Sequence, residues 1–306
     1  MDAQNQIKRN LKNNYILIEF LMFVTRTVVL AFAIHENPYL SITKGIQGAW
    51  INTIFIDITN IFQFIFIFDV IQRENIFQML LYIPIIMYAM LIILATILNA
   101  EIIEFKTGAV NGRARFLYAY TGILAFEILI HIPVYKKLKA GFMWSNFKKI
   151  GADPKMNEAF QRREELNAIK KLTIVFVCSE VLGIYFNKVD MILFKQISLG
   201  IIFIVMMPFQ NDEYVAHRIV FLILSGIFFV GGIVSLALDI VHFFVNNVTK
   251  LESIVDSLFY MFIMFLLFIG GFRDYKMFGS GLKEYYNGIT TSSRKKLILE
   301  KEHDFE

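Results

Sequence analysis

The sequence predicts an all-α, polytopic membrane helix bundle with about eight transmembrane helices, and three observations carry that prediction. The 306 residues are 57% hydrophobic and 18% charged, with a mean hydropathy of +0.57. Soluble domains are about 45–50% apolar and about 25% charged. The apolar residues come in runs long enough to cross roughly 30 Å of hydrocarbon. The basic residues are concentrated in alternate connections between these runs, as the positive-inside rule requires.

Eight apolar runs have the length of a transmembrane helix, which needs roughly 20 residues. They cover residues 15–34, 50–71, 77–100, 116–135, 171–187, 190–209, 218–244 and 251–272. The third is the clearest, because no charged residue lies between Ile76 and Ala100. The fifth and sixth are separated by three residues, 187–189, which predicts a tight hairpin or, alternatively, one long kinked segment.

The first run is expected to remain as the first transmembrane helix. Residues 1–13 are polar and carry basic side chains, but they are not followed by the short hydrophobic region and small-residue cleavage site of a signal peptide. Of the 30 basic residues, 22 fall on the side of the N-terminus and six on the opposite side. An even number of crossings with both termini on the positively charged side is therefore predicted.

The polar connection 136–170 divides the chain into an N-terminal half, 1–135, and a C-terminal half, 171–272, which a polar tail, 273–306, follows. We expect each half to hold four helices. In the first part of the connection, lysines alternate with aromatic and aliphatic residues, which predicts a short helix lying in the layer of anionic lipid headgroups. The residues expected to bind headgroups are Lys136, Lys137, Lys139, Trp144, Lys148 and Lys149.

The second part of the connection opens with Asp153-Pro154, a helix N-cap followed by a proline at the first helical position. Helical structure is predicted to continue from there into the fifth span. In the seventh span, small residues indicate a face that packs closely against another helix. These residues are Gly226, Gly231, Gly232 and Ser235.

Charged residues inside the spans are expected to form ion pairs, because an isolated charge at the bilayer centre costs at least about 2.5–3.5 kcal/mol. Arg26 in the first span and Asp57 in the second lie at similar depths, as do Glu180 in the fifth and Lys195 in the sixth. These pairs are expected to hold helices together. The alternative is a polar pathway lined by Asp57, Asn60, Glu180, Lys195, Asp239 and Asp256.

Asp239 and Asp256 lie at similar depths on either side of the turn between the last two spans, with His242 and Glu252 one turn nearer the surface. Like charges at one depth repel, so they would recruit a cation or a proton. The alternative is that the two aspartates face different neighbours or the outer headgroups.

The sequence contains no phosphate-binding glycine loop, nucleophile elbow or HExxH motif. Glu127 and His131 share one face of the fourth span but have no obvious nucleophile beside them, so we expect no enzyme. The single cysteine, Cys178, excludes an intrachain disulfide and a cysteine-based metal site. No metal or cofactor is expected beyond bound phospholipid, for example cardiolipin.

These observations favour a non-catalytic accessory subunit of a large membrane complex, in the mitochondrial inner membrane with both termini on the matrix side. Its expected partners are other membrane subunits and anionic phospholipids. Nucleic acid is not expected, because lipid headgroups are the anions nearest to the basic connection. The alternative is a two-half transporter or ion channel with a polar pathway through the bundle. A small-molecule receptor is the weakest of the three hypotheses, because seven spans would be the commoner layout.

Overall fold

The computed structural model describes residues 2–35, 46–107, 113–150, 154–184, 197–198, 200–202, 215–246 and 251–276. This part of the chain is helical, without strands, and contains seven long helices. They are α1 (Asp2–His35), α2 (Ile46–Arg73), α3 (Ile76–Thr107), α4 (Arg113–Ile150), α5 (Pro154–Ile184), α6 (Val215–Asn246) and α7 (Leu251–Lys276). Residues 197–198 and 200–202 are also helical.

Five stretches of the described helices are long and apolar enough to cross a membrane. They are Arg9–Ala33, Ile76–Leu98, Arg115–Trp144, Arg218–Phe244 and Leu251–Lys276. They coincide with the predicted first, third, fourth, seventh and eighth spans. The protein is therefore an integral, multi-pass membrane protein with a helical bundle. The number eight is not confirmed, and the second, fifth and sixth spans stay predictions.

Helix α3 lies at the centre of the bundle. It packs against α2, α4, α5 and α7, and Met79, Ile86 and Ile93 are fully buried along its length. A helix that is apolar on all sides is expected in such an interior position. By contrast, α6 packs chiefly against α7 and exposes a stripe of Ile223, Ile227 and other aliphatic residues.

A tight turn joins α2 to α3 and determines where α3 begins. Glu74 adopts a left-handed conformation with φ of 57°. The Asn75 side-chain oxygen then accepts a hydrogen bond from the backbone N–H of Gln78 at 3.0 Å. This bond satisfies a backbone donor that the first turn of a helix leaves without a partner. The Asn75 amide nitrogen also donates to the carboxylate of Glu164 at 2.7 Å, which brings α5 against the turn.

Helix α4 continues past the predicted end of the fourth span. The sequence predicts a separate helix in the headgroup layer after residue 135, but α4 is continuous over 38 residues to Ile150. Leu138 and Phe142 are buried one turn apart and extend the packed face of the span. Because this part of α4 has a buried face of its own, it continues the span instead of turning along the membrane surface.

Helix α5 confirms the prediction for the second part of the connection. It begins at Pro154 and continues without a break to Ile184. It packs against α2 and α3 as well as against α7, and α7 also contacts α3. The two predicted halves of the chain therefore share interfaces around α3.

Candidate functional site

Helix α1 places three polar side chains on one buried stripe inside the bundle. Tyr15, Glu19 and Arg26 recur at spacings of four and seven residues, which put side chains on the same face of a helix. All three are buried, and Arg26 is 0% exposed. Leu30 and Ala33 continue the stripe and are also buried, so this face of α1 is turned towards α4 and α2.

Arg26 forms a buried ion pair with Glu127 of α4. Its Nη1 lies 2.9 Å from Oε2 of Glu127 and donates a hydrogen bond to Oε1 of Gln63 on α2 at 2.7 Å. The Nε and Nη2 atoms of Arg26 have no hydrogen-bond acceptor among the described residues. Two charges removed from water need compensating partners, so this pair ties α1, α2 and α4 to one another.

A second carboxyl group, that of Glu19, reaches the same place through Tyr82 of α3. The Tyr82 hydroxyl lies 3.0 Å from Oε2 of Glu19 and 2.5 Å from Oε1 of Glu127. The hydroxyl carries one hydrogen and can donate it to only one of these oxygens. The other contact is satisfied when that carboxyl group is itself protonated.

The charges in this cluster also favour one proton shared by the two carboxyl groups. Glu127 contacts the guanidinium of Arg26, Glu19 reaches Glu127 through Tyr82, and all three groups are at most 2% exposed. Two carboxylates at one buried site repel each other, and a proton between them removes that repulsion. With one proton on the Glu19–Glu127 pair, the cluster has no net charge, which is the state that a membrane interior favours.

His131 of α4 is hydrogen-bonded through both ring nitrogens beside this cluster. Its Nε2 lies 2.9 Å from the carbonyl oxygen of Met79 and donates to it. Its Nδ1 forms a hydrogen bond with the Tyr15 hydroxyl at 2.5 Å. The imidazole ring also packs on the ring of Tyr82, with the two centroids 5.1 Å apart. Glu127 and His131, the candidate dyad of the sequence analysis, thus bind different partners.

A second group of polar contacts holds α5 against α2 and α3. Lys171 lies 2.5 Å from Oδ2 of Asp69 and donates to Oε1 of Gln78 at 2.9 Å. Gln78 in turn donates to Asp69 at 2.8 Å. The cation, the amide and the carboxylate therefore satisfy one another across three helices.

The carboxylate of Asp274, near the end of α7, lies close to the side chains of two arginines. Arg163 of α5 lies 3.0 Å from its carboxylate. Arg218 of α6 lies 3.6 Å from it and donates to the backbone oxygen of Asp274 at 3.2 Å. Lys170 lies beside this group, and burial lowers its pKa to about 8, with Arg163 and Arg218 acting in the same direction and Asp274 opposing them.

The structure gives Arg26 a partner different from the one that the sequence analysis proposed. Asp57 was the predicted partner, but the ion pair that the structure describes is with Glu127, because α4 packs along α1 and places Glu127 level with Arg26. The side chains of Asp57, Glu180 and Lys195 lie outside the described residues.

The three acidic residues of the predicted cation site accept hydrogen bonds from different neighbours. Asp256 accepts a hydrogen bond from Tyr88 at 2.7 Å, and Glu252 accepts one from Thr96 at 3.0 Å, so both face α3. Asp239 accepts from Ser257, and His242 is exposed. Within the described ranges, no three His, Cys, Asp or Glu side chains come close enough to hold a metal ion.

The residues predicted to bind headgroups lie on the last third of α4. Lys136, Lys137 and Lys139 are exposed, and Trp144 is 59% exposed. The side chains of Lys148 and Lys149 lie outside the described residues.

Sequence reasoning missed Glu19, Gln63 and Tyr82, although the spacing of Tyr15, Glu19 and Arg26 was a usable signal for a polar stripe. Comparison of the chain with protein families, curated proteins and solved structures found no match.

Proposed function

We propose that this protein is a non-catalytic, structural transmembrane subunit of a larger membrane assembly. One observation carries the proposal. Three pairs of oppositely charged side chains join helices of the bundle across their interfaces: Arg26–Glu127, Lys171–Asp69 and Arg163–Asp274. Charges that neutralise one another hold helices together, whereas a transport pathway needs polar groups that face a shared cavity.

The outer surface of the bundle supports the same proposal. One face of α1 exposes Leu17, Leu21 and Val28, and one face of α6 exposes Val230 and Val234 among others. Large apolar faces of a membrane helix are covered by lipid or by neighbouring helices. We place the assembly in the mitochondrial inner membrane because of the residue composition, with the basic side facing the matrix.

The size of the native particle tests the proposal. We expect extraction in a mild detergent to give a particle much heavier than one 35.6 kDa chain with its micelle, accompanied by a constant set of other polypeptides. The same extract treated with a harsher detergent serves as the control, because it should release the single chain. A native particle that holds only one copy of this chain would contradict the proposal.

A proton-coupled transporter is the second candidate, and the Glu19–Glu127 pair favours it. A transport cycle could load and release one proton held between these two carboxyl groups beside Arg26. In vesicles with a trapped pH-sensitive dye, a transporter should move protons, and Glu19→Gln should stop that movement. Glu158→Gln, at an exposed position of α5, is the matched control. Folded wild-type protein without proton movement would exclude this candidate.

A further inference from the structure

A groove of about 650 Å³ lies between α3, α4 and α5, next to the turn that begins α3. Phe77 and Leu80 of α3 form part of its floor, Lys139 and Trp144 belong to the α4 wall, and Gln161 and Glu164 belong to the α5 wall. Pockets that bind small ligands commonly have volumes of about 300–1,000 Å³. The groove is therefore large enough for a headgroup and the adjoining part of a lipid.

The walls of the groove carry charges of opposite sign. Lys139 is exposed on α4, and Glu164 is partly buried on α5. One oxygen of Glu164 accepts a hydrogen bond from Asn75 at 2.7 Å, which fixes the carboxylate in place. An anionic ligand would be attracted by Lys139 but repelled by Glu164. A zwitterionic ligand avoids this conflict, because it presents an anionic group to Lys139 and a cationic group to Glu164.

The rest of the groove suits a molecule with an apolar tail. Leu80 is 47% exposed and Trp144 is 59% exposed, so both offer apolar surface at the groove. Tryptophan and lysine are typical of the headgroup level of a membrane, where the lysine extends its charge towards water. A ligand with a charged head beside Lys139 and an apolar part on Leu80 matches this arrangement.

We propose that the groove binds an ethanolamine phospholipid, with its phosphate on Lys139, its ammonium group on Glu164 and its acyl chains against Phe77 and Leu80. The side-chain oxygens of Glu164 and Gln161 can accept hydrogen bonds from a primary ammonium, which carries three N–H donors. A choline headgroup has no N–H to donate. This site goes beyond the structural role proposed above, since it belongs to a single chain whether or not other subunits surround it.

Trp144 provides a reporter inside the groove. The protein contains two tryptophans, so Trp50→Phe leaves Trp144 as the only one. The full chain with this change is placed in choline-lipid vesicles that contain increasing fractions of lipids with brominated acyl chains, which quench nearby tryptophan. We expect a brominated ethanolamine lipid to quench Trp144 at a several-fold lower mole fraction than a brominated choline lipid or a brominated anionic glycerol lipid.

Charge variants on the two walls complete the test. Lys139→Glu and Glu164→Lys should each reduce quenching by the ethanolamine lipid to the level seen with the choline lipid. Lys137→Glu makes the same charge change on an exposed α4 residue outside the groove and should leave the preference intact. Glu164→Gln is the second variant if Glu164→Lys does not fold, because its amide oxygen can still accept from Asn75 while the charge is lost.

Three results would overturn the inference. The first is equal quenching by all three lipids, and the second is stronger quenching by the anionic lipid. The third is an equal loss of preference in Lys137→Glu and Lys139→Glu. None of these results depends on the size of the native particle, so failure of this inference and failure of the proposed function can be told apart.

Discussion

A guanidinium group in the interior of a membrane bundle requires a carboxylate at the same depth, since neither charge is tolerated alone in hydrocarbon. Arg26 and Glu127 meet this requirement across the α1–α4 interface, with Nη1 and Oε2 2.9 Å apart. Removing one member leaves the other buried without its counter-charge, and that loss exceeds what the intact pair contributes. The two residues should therefore behave as a unit.

We expect Glu127→Ala to lower the free energy of unfolding by about 3–5 kcal/mol, the typical cost of breaking a buried ion pair. Adding Arg26→Met should recover part of that loss, because no uncompensated cation remains. Denaturant unfolding in detergent micelles measures both effects. Glu158→Ala, which breaks an exposed contact with Arg162 at 3.8 Å, should cost less than about 1 kcal/mol. Additive losses from Arg26→Met and Glu127→Ala would contradict the coupling.

Lys170 provides a prediction that depends on pH. Burial lowers its pKa in the folded protein from 10.5 to about 8. Between these two values the unfolded chain binds more protons than the folded chain, so the free energy of unfolding rises with pH across this window. Below about pH 8 both states hold the proton, and the cost of the buried cation is fully present.

Lys170→Met should therefore be more stable than the wild type at pH 7, by on the order of 3 kcal/mol if the whole pKa difference acts. This advantage should shrink as the pH rises from 8 towards 10. Melting temperatures of both proteins at several pH values measure the difference. Lys155→Met, at an exposed position of α5, should show a difference that changes little with pH. If the stability advantage of Lys170→Met did not change with pH, the lowered pKa of Lys170 could not be its cause.

At the residue scale, the sequence predicted that Arg26 needs a partner but did not identify the partner. The sequence shows how deep a residue lies along its span, whereas the packing of the bundle determines which helix lies next to that residue. Here α1 packs along α4 as well as α2, so Glu127 and Gln63 both reach Arg26. Glu19 could have been found from its spacing to Arg26. The contact that Tyr82 makes from α3 depends on how three helices meet and has no such signal.

At the scale of elements, α7 packs closely against two helices through adjacent glycines. A Cβ added to Gly270 would lie 2.9 Å from Ile169 of α5, and one added to Gly271 would lie 2.6 Å from the ring of Phe221 on α6. The small residues of α6 face the same interface, since a Cβ on Gly232 would lie 3.1 Å from Tyr260. The predicted close-packing face of the seventh span is thus confirmed at Gly232.

We expect Gly271→Ala to destabilise the protein by about 1–3 kcal/mol, because the added methyl group overlaps a buried ring. Phe221 is only 3% exposed and has little room to move. Gly122→Ala on α4 is the matched control, since no atom lies within 4 Å of its added Cβ. That change should be neutral or stabilising by up to about 1 kcal/mol, because alanine favours helix. Thermal unfolding in one detergent compares the two variants, and equal effects would contradict the close contact.

The ends of α4 and α5 show which helix boundaries can be predicted from the sequence and which cannot. Pro154 marks the start of α5 because proline suits the first turn of a helix, and the structure begins α5 there. The continuation of α4 to Ile150 was not predicted, because lysine-rich segments with interleaved aromatics are typical of surface helices. Helix α4 continues because Leu138 and Phe142 are buried against the rest of the bundle. That burial depends on tertiary packing, which the local sequence pattern does not reveal.

At the scale of the whole molecule, α3 sets the arrangement of the bundle. Asn75, directly before α3, contacts Glu164 of α5, and Thr96, in the second half of α3, contacts Glu252 of α7. The 21 residue steps from Asn75 to Thr96 correspond to roughly 31 Å of helix at about 1.5 Å per residue. This length matches the hydrocarbon core of a bilayer, about 30 Å. The α2–α3 turn and the start of α7 should therefore lie on opposite sides of the membrane.

Accessibility of introduced cysteines to a membrane-impermeant thiol reagent tests this arrangement in intact vesicles, with Cys178→Ser as the background. We expect Arg73→Cys, beside the α2–α3 turn, and Lys155→Cys, at the start of α5, to react from the same side. Ser253→Cys, at the start of α7, should react from the other side. The cysteine-free background is the control for labelling. Reaction of positions 73 and 253 from one side would mean that α3 does not cross the membrane, and the positive-inside orientation would then fail as well.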